Sequence, residues 1–103
     1  MKEKKNLNLF GTTYSISKVD TIKEEDGNYL YGRANYRDHK IEVANKVDKK
    51  RVTNREQRIT LLHKLFHVIL KEGQYISCSN DEPLVEWLAR CTNAALEQGV
   101  IKI

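Results

Sequence analysis

The pattern of apolar and polar residues changes once along the chain, at Thr53. Before that point apolar and polar positions alternate in short runs such as Tyr14 to Ser17, and this alternation is typical of half-buried strands. Asp26-Gly27-Asn28 and Arg37-Asp38-His39-Lys40 each predict a reversal of the chain between such runs. The first 52 residues are therefore predicted to form three or four antiparallel strands.

Two helices are predicted after this change. Thr53-Asn54-Arg55-Glu56 has the form of a capping box, so one helix begins there and runs to about Glu72. Asn80-Asp81-Glu82-Pro83 offers a second helix start, and that helix ends near Gln98-Gly99. The tail, Val100 to Ile103, is predicted to add a short strand.

The two helices differ in the width of their apolar faces. The first is predicted to be central because apolar residues cover more than half of its circumference; they are Leu61, Leu62, Leu65, Phe66, Val68, Ile69 and Leu70. The apolar side of the second helix includes Trp87 and Cys91, which are both predicted to lie in the core. Its polar residues form a narrow stripe that faces either water or a polar site, namely Glu82, Glu86, Arg90, Asn93 and Glu97. These patterns predict an α+β fold in which a small antiparallel sheet packs on two C-terminal helices.

Length and composition limit the class of protein. With 103 residues, the chain is predicted to be a single domain, 1–103, which is β-rich over about 1–52 and helical over about 53–99. No apolar run approaches the roughly 20 residues of a transmembrane helix. The N-terminal segment lacks the apolar core of a signal peptide. We therefore expect a cytoplasmic protein, located in the host cytoplasm if a phage encodes it.

One group of residues has the spacing of metal ligands. His63 and His67 lie one helical turn apart, so both imidazoles can reach a single ion. Glu86 offers a carboxylate from the polar stripe of the next helix. Two histidines and one glutamate leave a fourth coordination position open, as in catalytic zinc sites. The alternatives are a hydrogen-bonded histidine pair at the core edge with Glu86 in solvent, or a charged cluster that holds no ion.

Three segments carry a resemblance to a known family. They read Gly-x-x-x-Tyr-Arg (Gly32 to Arg37), Leu-Leu-His-x-x-x-His-x-Ile-Leu (Leu61 to Leu70) and Glu-x-x-Val-Glu-Trp-Leu-Ala (Glu82 to Ala89). The chain thereby resembles the small zincin-like metallopeptidase-type proteins of phages and mobile elements, which are related to the ImmA/IrrE group. The resemblance implies a minimal zincin-like domain that binds zinc through His63, His67 and Glu86.

The sequence departs from that family at Lys64, which stands where the His-Glu-x-x-His motif has its general base. A charged lysine cannot take a proton from zinc-bound water, and loss of a general base typically costs about 10²–10⁴ in rate. Glu82 is the nearby carboxylate that could substitute. We therefore expect a degenerate zincin-like protein that inhibits or adapts a host protein or nucleoprotein, an anti-CRISPR being one instance. The alternative is an active zinc-dependent metallopeptidase with an unconventional base.

Positive charge is concentrated between Lys46 and Arg58. This segment has six basic and two acidic residues, and its excess of four equals the formal net charge of +4 of the whole chain. Aromatic and arginine side chains on the preceding strand can stack on bases or anchor a protein interface. The residues predicted to contact a partner are Arg33, Arg37, Lys46, Lys49, Lys50 and Arg51. A nucleic-acid-binding module is therefore a third interpretation of the chain, and a solvated charged loop is the structural alternative for this segment.

Overall fold

The computed structural model describes residues 4–101 and divides them into a β-rich first half and a helical second half. The strands are β1 (Lys4–Leu9), β2 (Thr12–Val19), β3 (Gly32–Asn35), β4 (Lys40–Ala44), β5 (Lys46–Val47) and β6 (Lys50–Arg51). The helices are α1 (Asn54–Glu72), α2 (Ile76–Ser79) and α3 (Glu82–Glu97). The predicted α+β class and the two long C-terminal helices are confirmed.

The first four strands form a mixed sheet in the order β1-β2-β4-β3. The β1–β2 and β3–β4 pairs are antiparallel, as predicted, whereas β2 and β4 run parallel. The prediction that all strands are antiparallel is therefore wrong for the central pair. Alternation shows which side of a strand is buried, but it does not reveal which strand becomes its neighbour. The last two strands, β5 and β6, form a separate small hairpin.

Both predicted chain reversals occur. The first is closed by the Asp26 carboxylate, which accepts a hydrogen bond from the Asn28 backbone N–H at 2.9 Å. Lys23 and Tyr29 pair across this turn through an isolated bridge. The second reversal joins β3 to β4, with Asn35 opposite Lys40.

The helix boundaries follow the cap residues of the sequence. Thr53 caps α1 by accepting from the Glu56 N–H, and Asp81 caps α3 by accepting from the Leu84 N–H. A short additional helix, α2, lies between the two predicted ones. Val100 and Ile101 form no strand, and the rest of the predicted tail strand lies outside the described residues. No helix within 4–101 is long and apolar enough to cross a membrane.

Helix α1 is central, as predicted, because it contacts β3 and β4 on one side and α2 and α3 on others. The core between sheet and helix is built on three fully buried side chains, Tyr14, Ile41 and Val68. Leu61 and Leu65 of α1 pack against them. This packing places the polar edge of α1 against α3.

Helix α3 buries a different face from the predicted one. Trp87 is 67% exposed and Cys91 is also exposed, so the prediction that both lie in the core is wrong. The buried residues of α3 are Val85, Ala89 and Asn93. Asn93 itself belongs to the polar stripe, and Val85 and Ala89 lie next to it. Contacts of the stripe with histidines and arginines of α1 orient this side of α3 toward α1. The stripe therefore contacts polar residues of α1, although Glu82, Arg90 and Glu97 remain exposed to solvent.

Candidate metal centre

The two predicted histidines meet a glutamate at the contact between α1 and the start of α3. The Nε2 atoms of His63 and His67 lie 3.1 Å apart. The Glu82 carboxylate contacts both of them, with one oxygen 3.0 Å from His63 Nε2 and the other 2.8 Å from His67 Nε2. One ligand atom from each of these residues lies within 4.8 Å of the others, so the cluster could hold a metal ion.

The second ring nitrogen of His67 is fixed by the short helix α2. His67 Nδ1 lies 2.6 Å from the carbonyl oxygen of Ser79, and the Ser79 hydroxyl donates in return to the His67 carbonyl at 2.9 Å. Both residues are buried. Because a carbonyl oxygen can only accept, His67 Nδ1 must carry the proton in this bond. In the neutral ring, Nε2 is therefore left with its lone pair.

His63 is oriented in the same way by Glu86. His63 Nδ1 lies 2.9 Å from one oxygen of this carboxylate, and Arg90 Nε donates to the other oxygen at 2.8 Å. The hydrogen bond from His63 lowers the pKa of Glu86, burial opposes this shift, and Arg90 lowers the pKa further. Glu86 is therefore an ionised acceptor at neutral pH, and His63 Nδ1 is the donor.

These bonds leave three acceptors facing one another. When the rings are neutral, the lone pairs of both Nε2 atoms and the charge of the Glu82 carboxylate converge without a donor between them. Such an arrangement is stabilised by a proton on one ring or by a metal ion. Two ligands about 2.0–2.1 Å from a tetrahedral ion lie about 3.3 Å apart, close to the observed separation of 3.1 Å.

The structure assigns different positions to the two glutamates of the stripe. Glu82 joins the two Nε2 atoms, whereas Glu86, predicted as the third ligand, binds the opposite nitrogen of His63. Carboxylates in that second position orient the ring of a metal-bound histidine. The sequence did contain a sign that Glu82 could be a ligand, because Glu82 lies one helical turn before Glu86 on the same polar stripe. The role of Ser79 was not predicted, because it accepts the hydrogen bond from His67 through its backbone carbonyl, which every residue type has.

A polar pocket of about 320 Å³ lies beside the cluster. It is lined by Ala34, Tyr36, Lys64, His67, Ser79, Asn80 and Glu82. Burial raises the pKa of Tyr36, and the negative charge of Glu82 raises it further, so its hydroxyl keeps its proton. Lys64 also lines a second pocket, of about 420 Å³, which reaches His63 and Glu86. Lys64 therefore lines two cavities next to the histidines.

The six predicted partner-binding residues fall into two groups. Arg33 forms an ion pair with Glu42 at 2.6 Å, Lys46 lies 3.8 Å from Asp20, and Arg37 lies in the turn after β3. The other three are exposed at the tip and last strand of the small hairpin, namely Lys49, Lys50 and Arg51.

Two further basic side chains of the segment from Lys46 to Arg58 form ion pairs with another part of the protein. Arg55 and Arg58 both contact the Glu97 carboxylate of α3, at 2.9 and 3.1 Å. They therefore contribute less to an external positive field than the sequence suggested. The exposed charge of the segment is concentrated on the hairpin instead.

Comparisons with known proteins add no assignment, since no protein-family model, no curated protein and no solved structure matches this chain significantly. The resemblance to zincin-like proteins therefore stays a prediction from the residues themselves.

Proposed function

We propose that this protein is a zinc-binding, zincin-like domain that works by binding a partner and not by cleaving peptide bonds. The convergence of His63 Nε2, His67 Nε2 and the Glu82 carboxylate carries the proposal. Histidine and carboxylate ligands are typical of zinc, and three protein ligands leave one coordination position open. Bound zinc would supply a Lewis acid at that position.

The residue at position 64 argues against hydrolysis. A peptidase of this design needs a base beside the ion, and the chain has Lys64 there. Glu82, the substitute considered from the sequence, contacts both Nε2 atoms and is used as a ligand in this proposal. We therefore expect no more than about 10⁻² to 10⁻⁴ of the rate of an enzyme with a proper base.

The small hairpin is the surface we propose for the partner. Lys49, Lys50 and Arg51 are exposed, and none of them forms an ion pair with another residue in 4–101. Exposed, unneutralised charge steers binding toward a surface of opposite sign. An acidic host protein is therefore the partner that we propose, and an anti-defence inhibitor such as an anti-CRISPR would be one instance.

Metal content tests the first half of the proposal. The wild type, purified without chelators, should contain about one zinc per chain. A His63→Ala/His67→Ala variant should contain none while retaining its helical circular dichroism. Equal metal content in the two folded proteins, or no zinc in either, would refute the site.

Capture from host lysate tests the second half. Wild-type protein should retain an acidic partner, and the variant Lys49→Glu/Lys50→Glu/Arg51→Glu should lose it. The control has the same change of charge on exposed lysines of the sheet, namely Lys5→Glu, Lys18→Glu and Lys40→Glu. Retention of nucleic acid with a steep dependence on salt would favour a nucleic-acid-binding module instead. Measurable peptidase activity without a partner would favour an enzyme.

A further inference from the structure

Lys64 is a cation placed beside the proposed metal position. It precedes His67 by three residues on α1, so the two side chains lie on neighbouring parts of one helix face. Lys64 lines the 320 Å³ pocket together with His67 and Glu82. Its chain runs along the narrow gap to β3, since a Cβ built on Gly32 would lie 3.7 Å from Lys64 Cε. Lys64 therefore lines the pocket beside two of the residues proposed to bind the metal.

The charge of Lys64 is not balanced within the described part of the protein. No carboxylate of residues 4–101 lies within 4.0 Å of its ammonium group. Glu86, the other carboxylate at the cluster, is already bound by Arg90. Once a divalent ion is present, the positive charge of the ion and Lys64 exceeds the negative charge of Glu82. The pocket then favours an anion.

We propose that this pocket binds a carboxylate, with one oxygen on the metal ion and the other on Lys64. The inference rests on the proposed zinc site. A carboxylate is planar and has two acceptor oxygens, so it can fill the fourth metal position and still accept a hydrogen bond from the ammonium group. Bonds between oppositely charged groups are the stronger class of hydrogen bond. The replacement of a base by Lys64 thereby converts a hydrolytic site into a receptor for an anion.

The pocket also contains groups that can complete recognition of such a ligand. The protonated Tyr36 hydroxyl and the Asn80 side-chain amide both line it, and each can donate a hydrogen bond. The ligand could be the C-terminus of a peptide or a small organic acid, which share this carboxylate chemistry. A peptide would need room beyond the pocket, whereas a small acid would not.

Titration of cobalt-loaded protein tests the inference, because cobalt reports changes at its open position through its visible spectrum. N-acetylglycine should change the spectrum of the wild type, and N-acetylglycinamide, which lacks the carboxylate, should not. Lys64→Gln should weaken binding of N-acetylglycine about tenfold or more, and Lys64→Arg should retain most of it. Lys5→Gln removes the same charge from β1, at the opposite edge of the sheet from β3, and should leave the affinity unchanged.

The outcomes separate the inference from the proposed function. Cobalt uptake without a response to N-acetylglycine, or equal affinity in Lys64→Gln, would overturn the carboxylate site and leave the metal site standing. Failure of the wild type to take up cobalt would overturn both. Equal binding of acetate and N-acetylglycine would support a small organic acid as the ligand. Tighter binding of N-acetylglycine would support a peptide C-terminus.

Discussion

The same two helices, α1 and α3, make two polar contacts of opposite character. At one end, which we call the arginine end, Arg55 and Arg58 meet Asn93 and Glu97. At the other, the histidine end, His63 and His67 meet Glu82 and Glu86. The arginine end joins permanent donors to acceptors, so it is complete without any addition. The histidine end gathers three acceptors and needs a proton or an ion.

This difference separates a structural contact from a candidate site. Arginine keeps its charge at any ordinary pH and its donors are satisfied by Asn93 and Glu97. Histidine can lose its proton near neutral pH and then offers a lone pair. Polar contacts between helices therefore indicate function only where the partners leave acceptors unsatisfied.

The largest effect on zinc affinity is expected when each glutamate of the histidine end is replaced separately by glutamine. Glu82→Gln removes a metal ligand, whereas Glu86→Gln removes a partner of His63 and should lower zinc affinity by about 10–100-fold. Zinc affinity, measured by competition with a chelating dye, should therefore fall further in Glu82→Gln. A larger loss of zinc affinity in Glu86→Gln would mean that Glu86 is the metal ligand, as predicted from the sequence.

Zinc should stabilise the protein only through the histidine end. At free zinc 100 times its dissociation constant, the free energy of unfolding should rise by about 2.7 kcal/mol. The gain should persist in Asn93→Ala and vanish in His63→Ala/His67→Ala. Urea denaturation with and without zinc measures it, and an equal gain in the double variant would show that zinc acts elsewhere.

The arginine end should contribute to stability without any metal. Asn93 is only 1% exposed and accepts a hydrogen bond from Arg58. Asn93→Ala leaves that partly buried donor short of an acceptor, which should cost about 1–3 kcal/mol of unfolding free energy. The loss should be the same with zinc and with a chelator. A loss that appears only with zinc would mean that the two ends are coupled.

The smallest effect concerns the pH dependence of Glu97. The hydrogen bond from Arg55 lowers the pKa of this carboxyl below its ordinary value of 4.5, burial opposes the shift, and further contacts with Arg55, Asn93 and Arg58 reinforce it. A lowered pKa in the folded state stabilises the protein above the ordinary value, and this contribution disappears as pH falls through the folded pKa.

Wild type should therefore exceed Glu97→Gln in stability at pH 7, and the two should converge in acid. The effect is small because the group is exposed to solvent. Chemical denaturation at pH 7 and below pH 4 provides the measurement. A gap that widens in acid would contradict the assigned pKa direction.

Much of the local structure could be predicted because its causes lie within a few residues. Thr53 and Asp81 mark the helix starts through hydrogen bonds to N–H groups three residues ahead. The spacing of His63 and His67 places both rings on one face wherever a helix forms. Such features depend on chain geometry alone, so the sequence predicts them well.

The errors arose where distant parts of the chain compete for contacts. Trp87 looked like a core residue because it lies on the more apolar side of α3, yet it is exposed. The contacts of Glu82, Asn93 and Glu97 with α1 turned the opposite side inward. The parallel pairing of β2 with β4 was missed for a similar reason, since β4 enters the sheet after a long connection.

The sequence by itself determined the α+β class, the two long helices and the pair of histidines one turn apart, because these follow from local periodicity and capping. Tertiary structure alone decided that Glu82 faces both Nε2 atoms and that Glu86 and the Ser79 carbonyl hold the opposite nitrogens. One helical turn separates the two glutamates, and both lie on the same stripe. Only the distance and rotation at which α3 packs on α1 can distinguish them.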